Sequence, residues 1–241
     1  MSLFKLICAL TLGMIPVISE AQRSNAASTY KVIGNIKGLS EGTKMYLIDG
    51  GKRKVIDSAT VRSGQFVIDG SLAETAHMYL HAGKGSSSRK LADILLDNRT
   101  IYVKGNKAEY DSVVVSGSDI DQQWKDWFKE DQQIGYQRFQ VRKVYEALLS
   151  KNDTINANAL KKVVGEMQSY RVNLLKAYVM RYHDTGGGAA LPTLCTLGDY
   201  LTKADYLEMY NMLSPTWQKS YFGREILDEA SRKTNTPKVN K

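Results

Sequence analysis

The hydrophobic period of the chain changes at Ser118 and Asp119. Before this point apolar residues alternate with polar ones, as in "YKVIGNI" at 30–36, which is the pattern of half-buried β-strands. After it, Trp124 and Trp127 open a series of apolar residues spaced mostly by three, four or seven, as in an amphipathic helix. The sequence therefore predicts an α+β protein in which an extended half precedes an all-helical half.

The extended half contains short apolar segments that are separated by residues typical of turns. Connections such as Glu41-Gly42 and Arg62-Ser63-Gly64 indicate β-hairpins. Because no helix-length pattern lies between the segments, an antiparallel β-sandwich or open barrel is predicted. The predicted strands are "YKVIGNI", "KMYLI", "KVIDSATV", "QFVIDGS", "HMYLHA", "LADILL", "TIYVKG" and "SVVVSG".

The helical half is predicted to begin with a long helix that is capped by Asp119. The segment "NDT" at 152–154 is predicted to end this helix and to cap a second one. The segment "HDTGGGAALP" predicts a flexible break, and Pro192 suits the first turn of a helix that follows it. Two shorter helices are predicted around Tyr206–Met212 and Phe222–Ala230.

The first 21 residues have the three zones of a secretory signal peptide. Lys5 precedes an apolar run from Leu6 to Ile18, and small residues at Ser19 and Ala21 suit cleavage before Gln22. A run of 13 residues is shorter than the roughly 20 that span a bilayer, so a cleaved signal is favoured over a membrane anchor. A periplasmic or envelope-associated protein without a transmembrane segment is therefore expected.

The predicted domains are a β-sandwich at 22–118, a helical domain at 119–232 and a flexible basic tail at 233–241.

The formal net charge of +8 raises the question of nucleic-acid binding. Lys and Arg exceed Asp and Glu by four in residues 22–119, and by two in each of 120–199 and 200–241. Because this excess forms no basic stripe interleaved with aromatic residues, nucleic acid is not an expected partner. Removal of the signal leaves Cys195 as the one cysteine, so an internal disulfide is excluded.

A set of residues in the extended half forms a recognisable signature. It consists of Gly34, Ile56-Asp57-Ser58-Ala59, Gly64, Phe66 and Gly70, followed by Val115, Gly117 and Ser118 before the first helix. In these residues the chain resembles the domain of unknown function that precedes the thioredoxin-like domain of exported bacterial thiol-disulfide oxidoreductases of the peroxiredoxin-related class. The helical half, including "LSPTWQKSYFGREILDE", is similar to the connector between those two domains.

The resemblance implies a fold and a compartment. In such relatives a thioredoxin domain with a Cys-x-x-Cys pair follows the connector, whereas this sequence ends in "KTNTPKVNK" without such a pair. The resemblance therefore carries no catalytic residue across. The chain is expected to be either a naturally short relative or the N-terminal part of a truncated one.

Three other patterns are weak candidates for chemistry. His77 and His81 are four residues apart, but no third metal ligand accompanies them. The segment "AGKGSSSRK" at 82–90 lacks the order of a phosphate-binding loop and predicts a flexible hairpin tip. Ser58 and Asp57 lack the Gly-x-Ser-x-Gly elbow of a hydrolase. No metal, cofactor or catalytic residue is therefore predicted.

Aromatic residues and the lone thiol remain as candidates. Trp124, Trp127 and Phe128 form a candidate binding surface for a sugar or a peptide, although this spacing more often packs a helix on a sheet. Cys195 lies beside Leu194 and is expected to be a buried, unreactive thiol inside a helix.

The sequence favours a non-catalytic exported envelope protein that binds a protein or an envelope component. The alternative is an accessory or truncated part of a periplasmic thiol-disulfide oxidoreductase, with a thioredoxin-like protein as its partner.

Overall fold

A computed structural model of the protein describes residues 29–83 and 88–235. The predicted signal peptide, the centre of the predicted hairpin tip and most of the predicted tail lie outside these ranges. The described chain forms two four-stranded sheets and then a helical region, which confirms the predicted α+β class. The strands are β1 Tyr30–Ile36, β2 Lys44–Asp49, β3 Lys54–Thr60, β4 Gln65–Gly70, β5 Ala76–Ala82, β6 Arg89–Leu96, β7 Thr100–Gly105 and β8 Val113–Ser116.

The two sheets form a sandwich around one core. Their strand orders are β4-β1-β7-β8 and β3-β2-β5-β6. Val32 and Ile101 from the first sheet share a buried cluster with Leu47 and Met78 from the second. All eight predicted strands are present. The sandwich was predicted to be antiparallel, but β1 pairs with β7 in parallel. The reason is that β5 and β6 join the other sheet before the chain returns beside β1.

Gly34 shows how a small residue in a strand serves this core. It lies opposite Phe66 in the β1–β4 ladder. A Cβ atom at Gly34 would enter the Phe66 ring, well inside the 3.0 Å that real Cβ atoms keep. The missing side chain therefore lets the buried Phe66 ring cover the strand.

Six α-helices follow the sandwich in the described part of the chain. Ser118 caps the first of them, because its Oγ accepts a hydrogen bond from the Asp121 N–H at 3.3 Å. The sequence predicted Asp119 as the cap, but Asp119 is the first residue of the helix. Asp153 caps the second helix as predicted. The helices are α1 Asp119–Ser150, α2 Thr154–Arg181, α3 Gly186–Leu194, α4 Lys203–Met212, α5 Pro215–Gln218 and α6 Tyr221–Arg232.

The prediction of a flexible break at 183–192 is wrong, because α3 occupies most of it. Gly186, Gly187 and Gly188 are all buried. A Cβ at Gly187 would meet the Gln123 side chain of α1, and one at Gly188 would meet the Tyr182 carbonyl. The glycines therefore allow α3 to approach its neighbours closely, and this packing outweighs their low helix propensity. Pro192 lies near the end of α3 and not in its first turn.

The start of α1 covers the outer face of β6. Leu95 of β6 belongs to the same buried cluster as Trp127 and Phe222 of the helical region. The Leu95 N–H donates to Asp121 Oδ1 at 2.8 Å, so α1 also pairs a backbone group of this edge strand. Residues 91–96 are buried because the sandwich core covers one face of β6 and α1 the other. Within the described ranges, no helix is long and apolar enough to cross a membrane.

Candidate functional site

A cleft of about 460 Å³ lies between the sandwich and the helical region. The sandwich contributes the β2–β3 turn, the start of β5 and the segment at 72–75 that precedes β5, which is called the strap below. The helical region contributes the end of α3 and the first turns of α6. The polar and aromatic side chains that line the cleft are Asp49, Lys52, Glu74, Thr75, His77, Tyr79, Thr193, Tyr221, Phe222 and Glu225.

Two consecutive glycines in the β2–β3 turn bring its backbone against the other walls of the cleft. A Cβ at Gly50 would lie 2.9 Å from His77 Nδ1. A Cβ at Gly51 would lie 2.8 Å from the Tyr221 hydroxyl of α6. This close approach was not predicted, although the consecutive glycines of "DGGK" are a signal for it.

The strap connects the two parts of the protein. Glu74 Oε1 accepts a hydrogen bond from Arg224 Nη2 at 2.8 Å, and Glu74 Oε2 accepts one from the Tyr221 N–H at the start of α6. The bond from Arg224 lowers the pKa of Glu74, and the Tyr221 N–H acts in the same direction. Asn98 fixes the other end of the strap through two hydrogen bonds with the Leu72 backbone, at 2.8 and 2.7 Å.

A second cavity lies on the other side of the strap. It is more open, has a volume of about 530 Å³ and shares residues 73–75 with the cleft. Trp217 of α5, Lys219, Asp97 and Asn98 contribute to its lining. An extended ligand that crosses the strap could therefore reach both cavities.

A partly buried hydrogen-bond network holds the imidazole of His77. Its Nε2 lies 3.1 Å from Asp93 Oδ1, and Asp93 Oδ2 also accepts from Lys90 Nζ at 2.9 Å and from the Tyr110 hydroxyl. Burial alone would raise the pKa of Asp93, but these three donors outweigh it and hold the pKa well below its usual value. Burial raises the pKa of Tyr110, and its hydrogen bond to the Asp93 carboxylate acts in the same direction.

This network fixes the direction of the ring. In the tautomer that donates from Nε2 to Asp93, His77 Nδ1 is an acceptor that faces Gly50 in the cleft wall. Tyr79 stands beside His77, with ring centroids 4.9 Å apart, and the cations of Arg53 and Lys90 lie 5.2 and 5.0 Å from the Tyr79 ring. The cleft therefore offers a fixed acceptor beside an aromatic wall.

The candidate binding surface at Trp124, Trp127 and Phe128 is not on the surface. Trp124 is 8% exposed, Trp127 is fully buried, and Phe128 packs against the same cluster while only partly buried. The Trp124 ring lies edge-on to His77, with centroids 5.3 Å apart. These aromatic rings pack α1 on the sheet, because their large apolar area is most stable when buried. The spacing of the three residues therefore reflects packing of a helix on a sheet and not a binding surface.

The remaining candidates lie apart from one another. His77 and His81 are four residues apart on one strand, which separates them by roughly 13 Å, and His81 Nδ1 bonds to Ser88 Oγ. Asp57 accepts hydrogen bonds from Tyr30 and from the Ser58 N–H, so it pairs with no histidine. Among the described residues, no group of three or more metal-binding side chains is close enough to hold an ion.

Cys195 was predicted to be buried inside a helix, but it lies one residue beyond α3 and is half-buried. The Sγ atom is 3.3 Å from the Pro192 carbonyl oxygen. Burial raises the pKa of the Cys195 thiol to about 12, and the nearby Asp131 carboxylate acts in the same direction. The thiol is therefore almost entirely protonated at neutral pH, and it lacks the thiolate that attacks disulfides.

Cys195 is expected to react with Ellman's reagent at pH 7.5 only after denaturation. Unfolding exposes the thiol and returns its pKa to about 8.5, so that a reactive thiolate fraction appears. The released thionitrobenzoate, measured with and without guanidinium chloride, checks this expectation. Stoichiometric labelling of the native protein within minutes would contradict it, and a Cys195→Ser variant should show no labelling in either condition.

Comparison with known families identifies part of the chain. Residues 30–124 match a family described as a domain of unknown function, DUF4369. The chain thus contains a DUF4369 domain. The match to DUF4369 covers the whole sandwich and the first turn of α1, and it ends at Trp124. No curated protein matches the chain. The DUF4369 domain contributes one wall of the cleft, and residues 193–225 beyond it contribute the other.

Proposed function

We propose that the protein is a non-catalytic binding protein of the cell envelope, whose ligand occupies the cleft between the sandwich and the helical region. The observation that carries the proposal is the cleft itself. A volume of about 460 Å³ is in the range of ligand pockets, and both parts of the chain line it. Its walls combine the aromatic rings of Tyr79, Tyr221 and Phe222 with a few fixed polar groups.

The chemistry of the lining supports binding more than catalysis. His77 has an orienting carboxylate in Asp93, but neither Thr75 nor Thr193 is hydrogen-bonded to it. The one described thiol is held protonated by burial. Carboxylates at Asp49 and Glu225 and the Nδ1 acceptor of His77 favour a ligand that donates several hydrogen bonds, such as a peptide or a sugar.

Export is part of the proposal and rests on Lys5, the apolar run Leu6–Ile18 and the small residues at Ser19 and Ala21. N-terminal sequencing of the protein from an envelope fraction should then begin at Gln22. Recovery of the protein from the cytoplasm with Met1 retained would contradict the proposed localisation. It would not affect the proposal that a ligand binds in the cleft, which is tested separately below.

An accessory role beside a thioredoxin-like partner is the second candidate. It is supported by the DUF4369 match, which covers the same residues that carry the resemblance to the oxidoreductase family. In that role the chain would present a partner or substrate to a separate thiol enzyme, because Cys195 is protonated and has no second described cysteine to resolve a disulfide.

Photocross-linking in cells tests the proposed function. A benzoylphenylalanine at position 79 lies in the cleft, whereas one at position 139 is exposed on α1 and does not line the cleft. We expect a discrete adduct from position 79 that is lost in a Thr193→Trp variant, in which an indole fills the cleft. A thioredoxin-fold protein in this adduct would favour the accessory role. Equal adducts from both positions, or none from position 79, would refute binding in the cleft.

A further inference from the structure

The helices α1 and α2 extend well beyond the core as an antiparallel arm. The last buried residue of α1 is Asp131, and 19 residues of this helix follow it, which is a length of about 28 Å. In α2, Ala157 is the one described residue before Leu175 that is buried. Side chains in the seam of the arm, such as Val141 and Val164, are only half-buried. A pair of helices cannot exclude water from its seam as a four-helix bundle does.

From Gln132 to Tyr170, one side of the arm carries no charged side chain. Spacings of four and three residues place Gln133, Gln137, Gln140 and Val144 in one stripe along α1. The same spacings place Leu160, Val163, Met167 and Tyr170 in one stripe along α2. These eight residues are called the neutral flank.

A hydrogen bond at the base of the arm places both stripes on the same side. Glu130 precedes the α1 stripe by three residues, and Tyr178 follows the α2 stripe by eight, so each continues its own stripe. The Tyr178 hydroxyl donates to Glu130 Oε2 at 2.8 Å. The two stripes therefore meet on one face of the arm.

The charges of the arm lie elsewhere. Arg142 and Glu146 form an ion pair along α1 at 2.7 Å, and Lys162 pairs with Glu166 along α2 at 3.8 Å. On the neutral flank, by contrast, Val144 is 54% exposed and Tyr170 is 55% exposed. Apolar side chains in an uncharged, solvent-facing strip indicate a surface that another protein covers.

We propose that the neutral flank is the interface of a homodimer, in which the arms of two copies pack into a four-helix bundle. The flank measures about 28 Å by about 20 Å, or roughly 560 Å² on each arm, so two arms together can bury about the 1,000 Å² that a specific interface needs. A twofold axis brings the same surface of both copies together, so the surface must complement itself, and glutamine amides can do so because each is both a donor and an acceptor. An anionic membrane or an acidic partner would require cations, which this flank lacks.

Sedimentation equilibrium of the purified protein at about 50 µM tests the dimer. The wild type should have twice the mass of one chain. Val144→Glu combined with Val163→Glu should raise the dissociation constant at least about 100-fold, because each copy would place carboxylates in an uncharged contact. Phe139→Glu is the matched control. Phe139 is 51% exposed and by helix phase points away from the neutral flank, so its replacement should leave the mass unchanged.

Thermal midpoints within a few degrees for all variants will show that the folds are intact. A monomeric wild type would overturn the proposal, and so would equal dissociation by Phe139→Glu. If the protein were a monomer that binds phosphatidylglycerol vesicles through Val144 and Val163, the neutral flank would be a lipid-binding surface and not a dimer interface.

Discussion

Replacement of Asp131 by alanine is expected to lower the free energy of unfolding by about 3 to 5 kcal/mol. Asp131 is almost fully buried and accepts two hydrogen bonds of 2.7 Å from Arg171, whose side chain is 11% exposed. Thr196 Oγ1 also donates to Asp131, at 3.1 Å. The substitution leaves the guanidinium charge of Arg171 buried and unpaired, and this desolvation cost is larger than the value of the pair itself.

Urea denaturation of the wild type and the variant measures this effect. The control is Glu146→Ala, which removes an exposed ion pair with Arg142 of the same 2.7 Å distance. Exposed pairs contribute about 0 to 1 kcal/mol, so this control should change stability little. A loss below about 1 kcal/mol for Asp131→Ala would mean that water reaches Arg171, and that α1, α2 and the end of α3 do not meet as described.

Replacement of Gly188 by alanine is expected to destabilise the protein by about 2 to 4 kcal/mol. The added Cβ would lie far inside the 3.0 Å limit from the Tyr182 carbonyl oxygen, which belongs to the backbone and cannot rotate away. Helix α3 would have to move, although it packs against α1 and α6. The shift in the thermal or denaturant midpoint checks this result.

Gly165 provides the matched control for this substitution. It also lies inside a helix, α2, but nothing lies within 4 Å of a Cβ at this position. Gly165→Ala should therefore stabilise the protein by up to about 1 kcal/mol through helix propensity alone. If Gly188→Ala were as stabilising as Gly165→Ala, the segment at 183–192 would be the flexible break that the sequence predicted.

The strands could be predicted because their apolar pattern reports burial directly. Alternation in β1 marks one buried and one exposed face, and the apolar residues on both sides of Asp93 in β6 reflect burial on both faces. The parallel pairing of β1 with β7 could not be predicted in this way, since periodicity does not say which strands are neighbours. Helix α3 was missed because its glycines serve close packing, which is a property of the surrounding elements and not of the local sequence.

The cleft could not be predicted from the sequence because its residues come from distant parts of the chain. His77 was noted for its spacing from His81, whereas its partner is Asp93 on the neighbouring strand. Tryptophans are common in binding surfaces, but the spacing of Trp124 and Trp127 is also that of core residues in a helix. Their burial shows that they belong to the core. Gly50 and Gly51 gave the best local signal, since consecutive glycines in a turn indicate a close approach.

The cleft between the sandwich and α6 is the centre of the proposed function, and a dissociation constant tests it most directly. The component captured from position 79 should be titrated calorimetrically into wild-type protein and into a Thr193→Trp variant of matching thermal stability. Filling the cleft is expected to weaken binding at least about 30-fold, because the indole takes the volume that the ligand needs. An unchanged dissociation constant in Thr193→Trp would place the ligand elsewhere and contradict the proposed function.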